Sequence, residues 1–229
     1  DFATITPRYE TTMTPQEYMQ DFDSRYPATA DLRQRAYKRM PKFAFEYLDG
    51  GCNEDVNRDK NMADIQRVEL EPRYLTPPPA YDITTTLFGE QYDAPFGVAP
   101  VGLQGLMWPN SPVILARAAR RHNIPFILST VTTASIETIA RETDGKAWFQ
   151  LYYPAEQEIL FDIMDRTKAN GYKVFVALAD VPTFGYRPRD IRNGLAMPPK
   201  MTAANILQMF MNPQWAFKSL IHGKPNFES

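Results

Sequence analysis

The sequence predicts an α/β fold built on a parallel sheet, and three observations carry that reading. Short, almost wholly apolar strands recur from residue 96 onward, and each is followed by a helical stretch. Strands apolar on both faces belong to a sheet covered on both sides, which is the parallel kind. Polar and conformationally special residues collect just beyond the C-terminal end of each strand, the rim where parallel barrels carry their sites.

Composition agrees with a globular chain. The 229 residues suffice for one domain with a sizeable core, and 44% hydrophobic with 23% charged residues is ordinary. A net charge of -2 gives no general attraction for nucleic acid. The basic cluster Arg33, Arg35, Lys38, Arg39 and Lys42 lies in a polar helical pattern and reads as a solvated face. Cys52 is the only cysteine, which excludes an intrachain disulfide and fits a reducing compartment. No His is near it, so it is not read as a nucleophile. No run approaches the ~20 apolar residues of a spanning helix and no signal peptide is visible, so a cytoplasmic location is expected. The twenty prolines mark fixed loops, because apolar strands recur between them. No metal site is expected.

In order along the chain, residues 1–30 read as an extended arm with one short helix over 15–22, N-capped by Thr14. Residues 31–66 read as helical, broken at Pro41 and at Gly50-Gly51. The stretch 68–81 is Pro-rich and extended, and 82–87 is a Thr-rich strand turned at Gly89. The repeat then begins. Strands over 96–99, 125–128, 147–151 and 173–179 alternate with helices over 112–121, 135–142 and 155–170. Such crossovers are right-handed, so the units wind in one sense. Four units do not close a barrel of eight strands. An open doubly wound sheet and a barrel completed by further polypeptide both remain.

The residues past the strand ends are Pro100-Val101-Gly102, then Ser129-Thr130-Val131, then Gln150-Leu151-Tyr152, then Asp180 with Arg187 soon after. Any one group reads as loop punctuation; four successive groups on one rim point to a site. Gln150 and Tyr152 alternate with Leu151 and therefore share one side of their strand. Read singly, Tyr47 is equally a helix-packing tyrosine, Arg187 a partner for Asp180 or Asp190, and Asp180 a turn aspartate.

Five segments then carry a resemblance. Phe45-Glu46-Tyr47-Leu48-Asp49-Gly50-Gly51, Val98-Ala99-Pro100-Val101-Gly102, Leu128-Ser129-Thr130, Trp148-Phe149-Gln150-Leu151-Tyr152 and Asp190-Ile191-Arg192-Asn193-Gly194-Leu195 stand in the order and spacing of the FMN-dependent 2-hydroxy-acid dehydrogenases and oxidases. The chain resembles that family from about Arg35 to Ser229. Asn193-Gly194-Leu195 with Pro198-Pro199-Lys200-Met201-Thr202 is most similar to the bacterial L-lactate dehydrogenases that pass electrons to quinone or cytochrome.

The resemblance implies a (β/α)8 barrel of which this chain supplies the N-terminal helices and strands one to four. Residues 1–90 would be an N-terminal arm, helices and leading strand, 91–200 the first barrel half, and 201–229 a mobile loop after strand four. It implies FMN, with Pro100, Val101 and Gly102 lining the flavin ring and Ser129 and Gln150 bonding its polar edge. Tyr47, Val131, Tyr152 and Arg187 would meet the substrate, with Arg187 on its carboxylate and Tyr152 on its hydroxyl oxygen. Asp180 would orient a catalytic histidine. That histidine, the lysine at flavin N1, a second arginine and the phosphate loop lie late in the family's barrel. Neither His122 nor His222 matches the histidine's motif.

Two positions depart from the family pattern. Leu178 stands where a flavin-contacting Thr is usual, and Val131 where many members have a bulky aromatic, leaving a wider pocket. The implied reaction is oxidation of a lactate-like or larger 2-hydroxy acid, active once a C-terminal fragment completes the barrel. Quinone, cytochrome or oxygen would accept the electrons, and the protein would be a homo-oligomer. The apolar stretch 201–220 either packs on the barrel or lies in a membrane interface, giving peripheral contact with the inner membrane. An FMN-dependent barrel isomerase and a non-catalytic membrane-docking fragment are the alternative readings.

Overall fold

The computed structural model describes residues 15–75, 82–179, 185–195 and 202–222. The chain divides into two units, Asp1–Arg39 and Met40–Ser229. In the first, α1 (Pro15–Arg25) runs three residues past its expected end at residue 22. Arg25 Nε donates to Asp21 one turn earlier at 2.9 Å, and the Phe22 and Tyr26 rings stand 5.2 Å apart. Thr14, the expected N-cap, lies outside the described residues. Helix α2 (Thr29–Arg39) has no buried residue, as a solvated basic face requires.

The second unit opens with α3 (Lys42–Asp49) and α4 (Val56–Gln66), broken from their neighbours at Pro41 and Gly50-Gly51 as the sequence predicts. Strands β1 (Thr85–Leu87) and β2 (Glu90–Tyr92) form an antiparallel hairpin. The sequence marks the turn but not the return strand. Both turn residues, Phe88 and Gly89, have positive φ, the primed geometry whose usual signal is Asn-Gly rather than Phe-Gly.

Then follow α5 (Gln104–Met107), α6 (Ser111–Arg121), β3 (Ile127–Ser129), α7 (Ile136–Thr143), β4 (Trp148–Leu151), α8 (Gln157–Ala169), β5 (Phe175–Ala177), α9 (Pro188–Arg192), α10 (Ala203–Met211) and α11 (Pro213–His222). Helices α5 and α9 are too short to show a period and were not expected. Within the apolar stretch, α10 and α11 are separate helices because Pro213 cannot continue α10. His222 sits in the last turn of α11.

Strands β3, β4 and β5 pair in chain order, all parallel. The strand expected over 96–99 shrinks to a single parallel bridge, Val98 with Phe126. Val98 N donates to Pro125 O at 2.8 Å and Ile127 N donates to Val98 O at 3.1 Å. Pro95, Pro100 and Pro125 offer no N–H to lengthen that ladder. Gly97 presses on Pro125 so closely that a Cβ would stand 2.7 Å from its carbonyl oxygen.

The core lies between the sheet and its helices. Phe149 is fully buried, with Tyr172 and Phe175 at ring distances of 6.2 and 5.9 Å, and Leu128, Ile136, Ile139 and Ala116 close around it. Each large apolar side chain so buried contributes roughly 1.5–3 kcal/mol. Helix α7 starts at Ser135, whose hydroxyl accepts from Thr138 N at 3.2 Å. On α11, Trp215 is buried, donates to the carbonyls of Leu106 and Met107 at 3.2 Å, and meets Phe43 edge-on at 5.7 Å.

Arg166 of α8 donates to both oxygens of Glu137 of α7, at 2.8 and 3.1 Å. Those bonds hold the Glu137 carboxyl well below its ordinary value of 4.5, at about 2. A carboxyl depressed by folding contributes stability above its unfolded pKa and loses it as pH falls through the folded one. The pair is partly exposed, so the contribution is modest. Urea midpoints should therefore fall between pH 4.5 and 2, and Arg166→Met should flatten that slope. An unchanged slope would assign the acid sensitivity to other groups.

Candidate active site

The parallel register sets Ser129 beside Gln150 at the C-terminal ends of β3 and β4. Both are buried, at 3% and 4% exposure. Ser129 Oγ donates to Gln150 Oε1 at 3.0 Å and accepts from Val131 N at 3.4 Å. Gln150 Nε2 is left buried with no partner among the described residues. An unsatisfied buried donor costs on the order of 1–3 kcal/mol, a cost that an acceptor at the rim would remove. Thr130 Oγ1 donates to Gln150 O at 2.6 Å and accepts from Tyr152 N at 3.0 Å, tying the two strand ends together.

Gly102, past the Val98 bridge with Pro100 and Val101, faces the same rim. A Cβ there would stand 2.7 Å from Val131 Cγ2 and 3.8 Å from the Tyr47 hydroxyl. Leu103 N donates to Val131 O at 2.9 Å, and Tyr47 Oη lies 3.5 Å from Gly102 O. Tyr47, Gly102 and Val131 thus meet, although they come from α3 and two different strand-end loops.

Arg187, which leads into α9, lies over the Tyr47 ring with its guanidinium carbon 5.1 Å from the centroid. Its Nε donates to Asp190 Oδ2 at 2.5 Å, and its Nη2 donates to Tyr47 O at 2.7 Å and Gly50 O at 3.4 Å. Of the two partners left open by the sequence, Asp190 is the one seen; Asp180 lies outside the described residues. Burial pushes the Tyr47 phenol above its ordinary pKa, Arg187 opposes this, and Asp190 and Tyr152 add to it. Tyr47 is therefore a protonated donor at neutral pH. Behind it, Arg189 pairs with Asp49 and Asp55, and Arg58 bonds Asp49 and Asp55 as well. Gly51 N donates to Asp55 Oδ1 at 2.6 Å, the chief cause that holds that carboxyl below its usual range.

Ser129, Gln150, Gly102, Val131, Tyr47, Tyr152 and Arg187 share this rim. Leu178 is exposed at its end, with its N–H on Leu151 O at 3.2 Å. Sequence reasoning missed Thr130 as the tie between strands and Asp190 as more than one possible partner. The available signal was an acidic residue three positions after Arg187, in Arg187-Pro188-Arg189-Asp190.

Residues 36–228 match the family described as FMN-dependent dehydrogenase. The chain belongs to this family. Among FMN-dependent dehydrogenases it is 37% identical over 199 residues to an L-lactate dehydrogenase of Ectopseudomonas mendocina, covering 87% of this chain and 52% of that protein. It is 34% identical over 195 residues to the (S)-mandelate dehydrogenase of Pseudomonas putida, covering 85% and 49%. The chain spans about half the length of the curated relatives it matches. Among solved structures it is similar to a monotopic membrane protein, (S)-mandelate dehydrogenase, with a TM-score of 0.80 and 33% identity over 87% of this chain and 53% of that one. A mandelate oxidase gives 0.70 and 34% over 83% and 55%. The fold is that of a (β/α)8 barrel, with the N-terminal helices and first strands present in this chain.

The contact between Gly102 and Val131 is open to a direct check. Gly102→Ala should destabilise the protein by about 1–3 kcal/mol, because the new methyl overlaps the valine. Val131→Ala in the same chain should recover most of the loss. Additive losses in urea unfolding would show that the two residues do not press on one another.

Proposed function

We propose that this chain is the flavin- and carboxylate-gripping part of an enzyme that oxidises a 2-hydroxy acid to the 2-oxo acid with FMN. The observation that carries this reading is the buried Gln150 Nε2, without a partner among the described residues and beside Ser129. A planar ring with polar atoms along one edge fits there. Gln150 and Ser129 would bond that edge, while the main chain of Pro100, Val101 and Gly102 would lie along the ring. The missing Cβ of Gly102 suits so close an approach. When bound, FMN supplies the acceptor for the substrate's two electrons.

The remaining residues bind and orient. Arg187 supplies a fixed positive charge for the carboxylate, and Tyr47 a phenol that donates a hydrogen bond. Tyr152 faces the hydroxyl oxygen. Asp180 would hold the imidazole of a histidine from the later barrel and stabilise its charged form once it has taken the substrate proton. The relatives are named for lactate and mandelate, both 2-hydroxy acids. Val131 leaves room for a side chain larger than methyl.

Completion by a C-terminal half of the barrel is supported by the sheet itself. Beyond β5 no strand pairs among the described residues, and Phe175 there is 40% exposed. An unpaired apolar edge of this kind calls for cover. Quinone, cytochrome or oxygen as electron acceptor and a homo-oligomeric assembly belong to the same reading. Peripheral membrane contact has its own support. Leu207, Phe210, Met211, Phe217 and Leu220 are exposed on α10 and α11, and the similar (S)-mandelate dehydrogenase structure is of a monotopic membrane protein. No helix among the described residues is long and apolar enough to cross a membrane.

In the complete protein, Gln150→Leu should weaken FMN binding at least about tenfold, the worth of one buried hydrogen bond, and should also lower the thermal midpoint of the apoprotein because the Ser129 hydroxyl loses its acceptor. Arg187→Met should keep FMN bound yet lower kcat/KM by roughly 2–4 kcal/mol of transition-state stabilisation. Flavin titration and steady-state kinetics read the two effects separately. Full FMN affinity in the first variant, or unchanged kcat/KM in the second, would refute the reading.

A further inference from the structure

Arg187 is unusually committed for a residue meant to meet a ligand. Its Nε is taken by Asp190 Oδ2 and its Nη2 by the carbonyls of Tyr47 and Gly50. Nε and Nη2 form the side-on edge with which a guanidinium most readily grips a carboxylate in two parallel bonds. That edge is turned into the protein. Only Nη1 has no hydrogen bond among the described residues, and the cation's face is occupied by the Tyr47 ring. Asp190 itself is 7% exposed, and its Oδ1 is buried without a partner among the described residues. A buried carboxylate with an unsatisfied oxygen is costly in packing terms alone, so its retention needs a reason beyond holding a five-residue helix.

We propose that Asp190 is a positioning residue: it claims the side-on edge of Arg187 and so leaves Nη1 as the group that receives the substrate carboxylate. This rests on the reading of Arg187 given above. Two consequences follow from the geometry. The carboxylate is met end-on rather than by a side-on fork, and the guanidinium cannot swing out to follow a ligand. Asp190 also adds to the forces that keep Tyr47 protonated, so one carboxylate prepares both donors.

The test uses the complete, flavin-loaded protein and two ligands that do not turn over, pyruvate and its neutral amide, pyruvamide. Calorimetric affinities are measured for wild type, Asp190→Asn and Asp190→Glu. The expected result is a roughly 10- to 100-fold loss for pyruvate in Asp190→Asn, the scale of one charged hydrogen bond, with pyruvamide changed less than about twofold. Asp190→Glu should recover part of the pyruvate affinity. Equal losses for both ligands, or no loss for either, would overturn the assignment, since a merely structural role does not distinguish charge. Should Asp190→Asn fail to accumulate with flavin, the same comparison is read on Asp190→Glu, where an equal loss for both ligands overturns it. Wild-type protein that binds pyruvate no better than pyruvamide would instead sink the Arg187 reading, and the role of Asp190 with it.

Discussion

Because side chains alternate along a strand, a one-residue slip between β3 and β4 would turn every side chain to the opposite face. The register that places Ser129 against Gln150 is therefore not a local detail. It is the same register that puts Leu128 and Phe149 into the core, where both are essentially fully buried. Packing on one face thus fixes polar geometry on the other. The amide of Gln150 can be left unsatisfied at the rim because the apolar cluster behind it holds the strands in place at far greater benefit.

The second half of the site depends on helices rather than strands. Tyr47 reaches the rim from α3, and the loop carrying Arg187 is pinned to the end of that helix by backbone carbonyls and by the ion pairs of Arg189 and Arg58 with Asp49 and Asp55. Removing one member of such a partly buried group leaves an uncompensated charge, so the network fails as a unit. Its main effect is to hold the Arg187 cation over the Tyr47 ring at the rim.

Much of this was legible in the sequence. The alternation of apolar strands with helices marked the parallel sheet, and the groups after each strand marked the rim, because both patterns are set by local periodicity. The hairpin return Glu90–Tyr92, the short helices α5 and α9, and the loss of the first strand to a single bridge were not legible. Three to five residues carry too little periodicity to identify an element, and the shortened ladder depends on prolines from two chain segments meeting in space. Thr130 and Asp190 were missed for a related reason: their roles are hydrogen bonds to partners chosen by tertiary structure.

Trp215 has an effect that reaches past its own packing. Its indole N–H is held by the carbonyls of Leu106 and Met107, its ring abuts Phe43, and Gln208 of the preceding helix accepts from Phe43 N at 3.2 Å. The apolar outer faces of α10 and α11 are therefore mounted on a rigid bracket fastened to the base of α3. Force or adhesion applied to that outer face is transmitted to the helix bearing Tyr47, three residues and about one turn from Ala44 and four from Phe43. The outer face of the helix pair and the phenol at the rim are thus ends of one connected set of contacts.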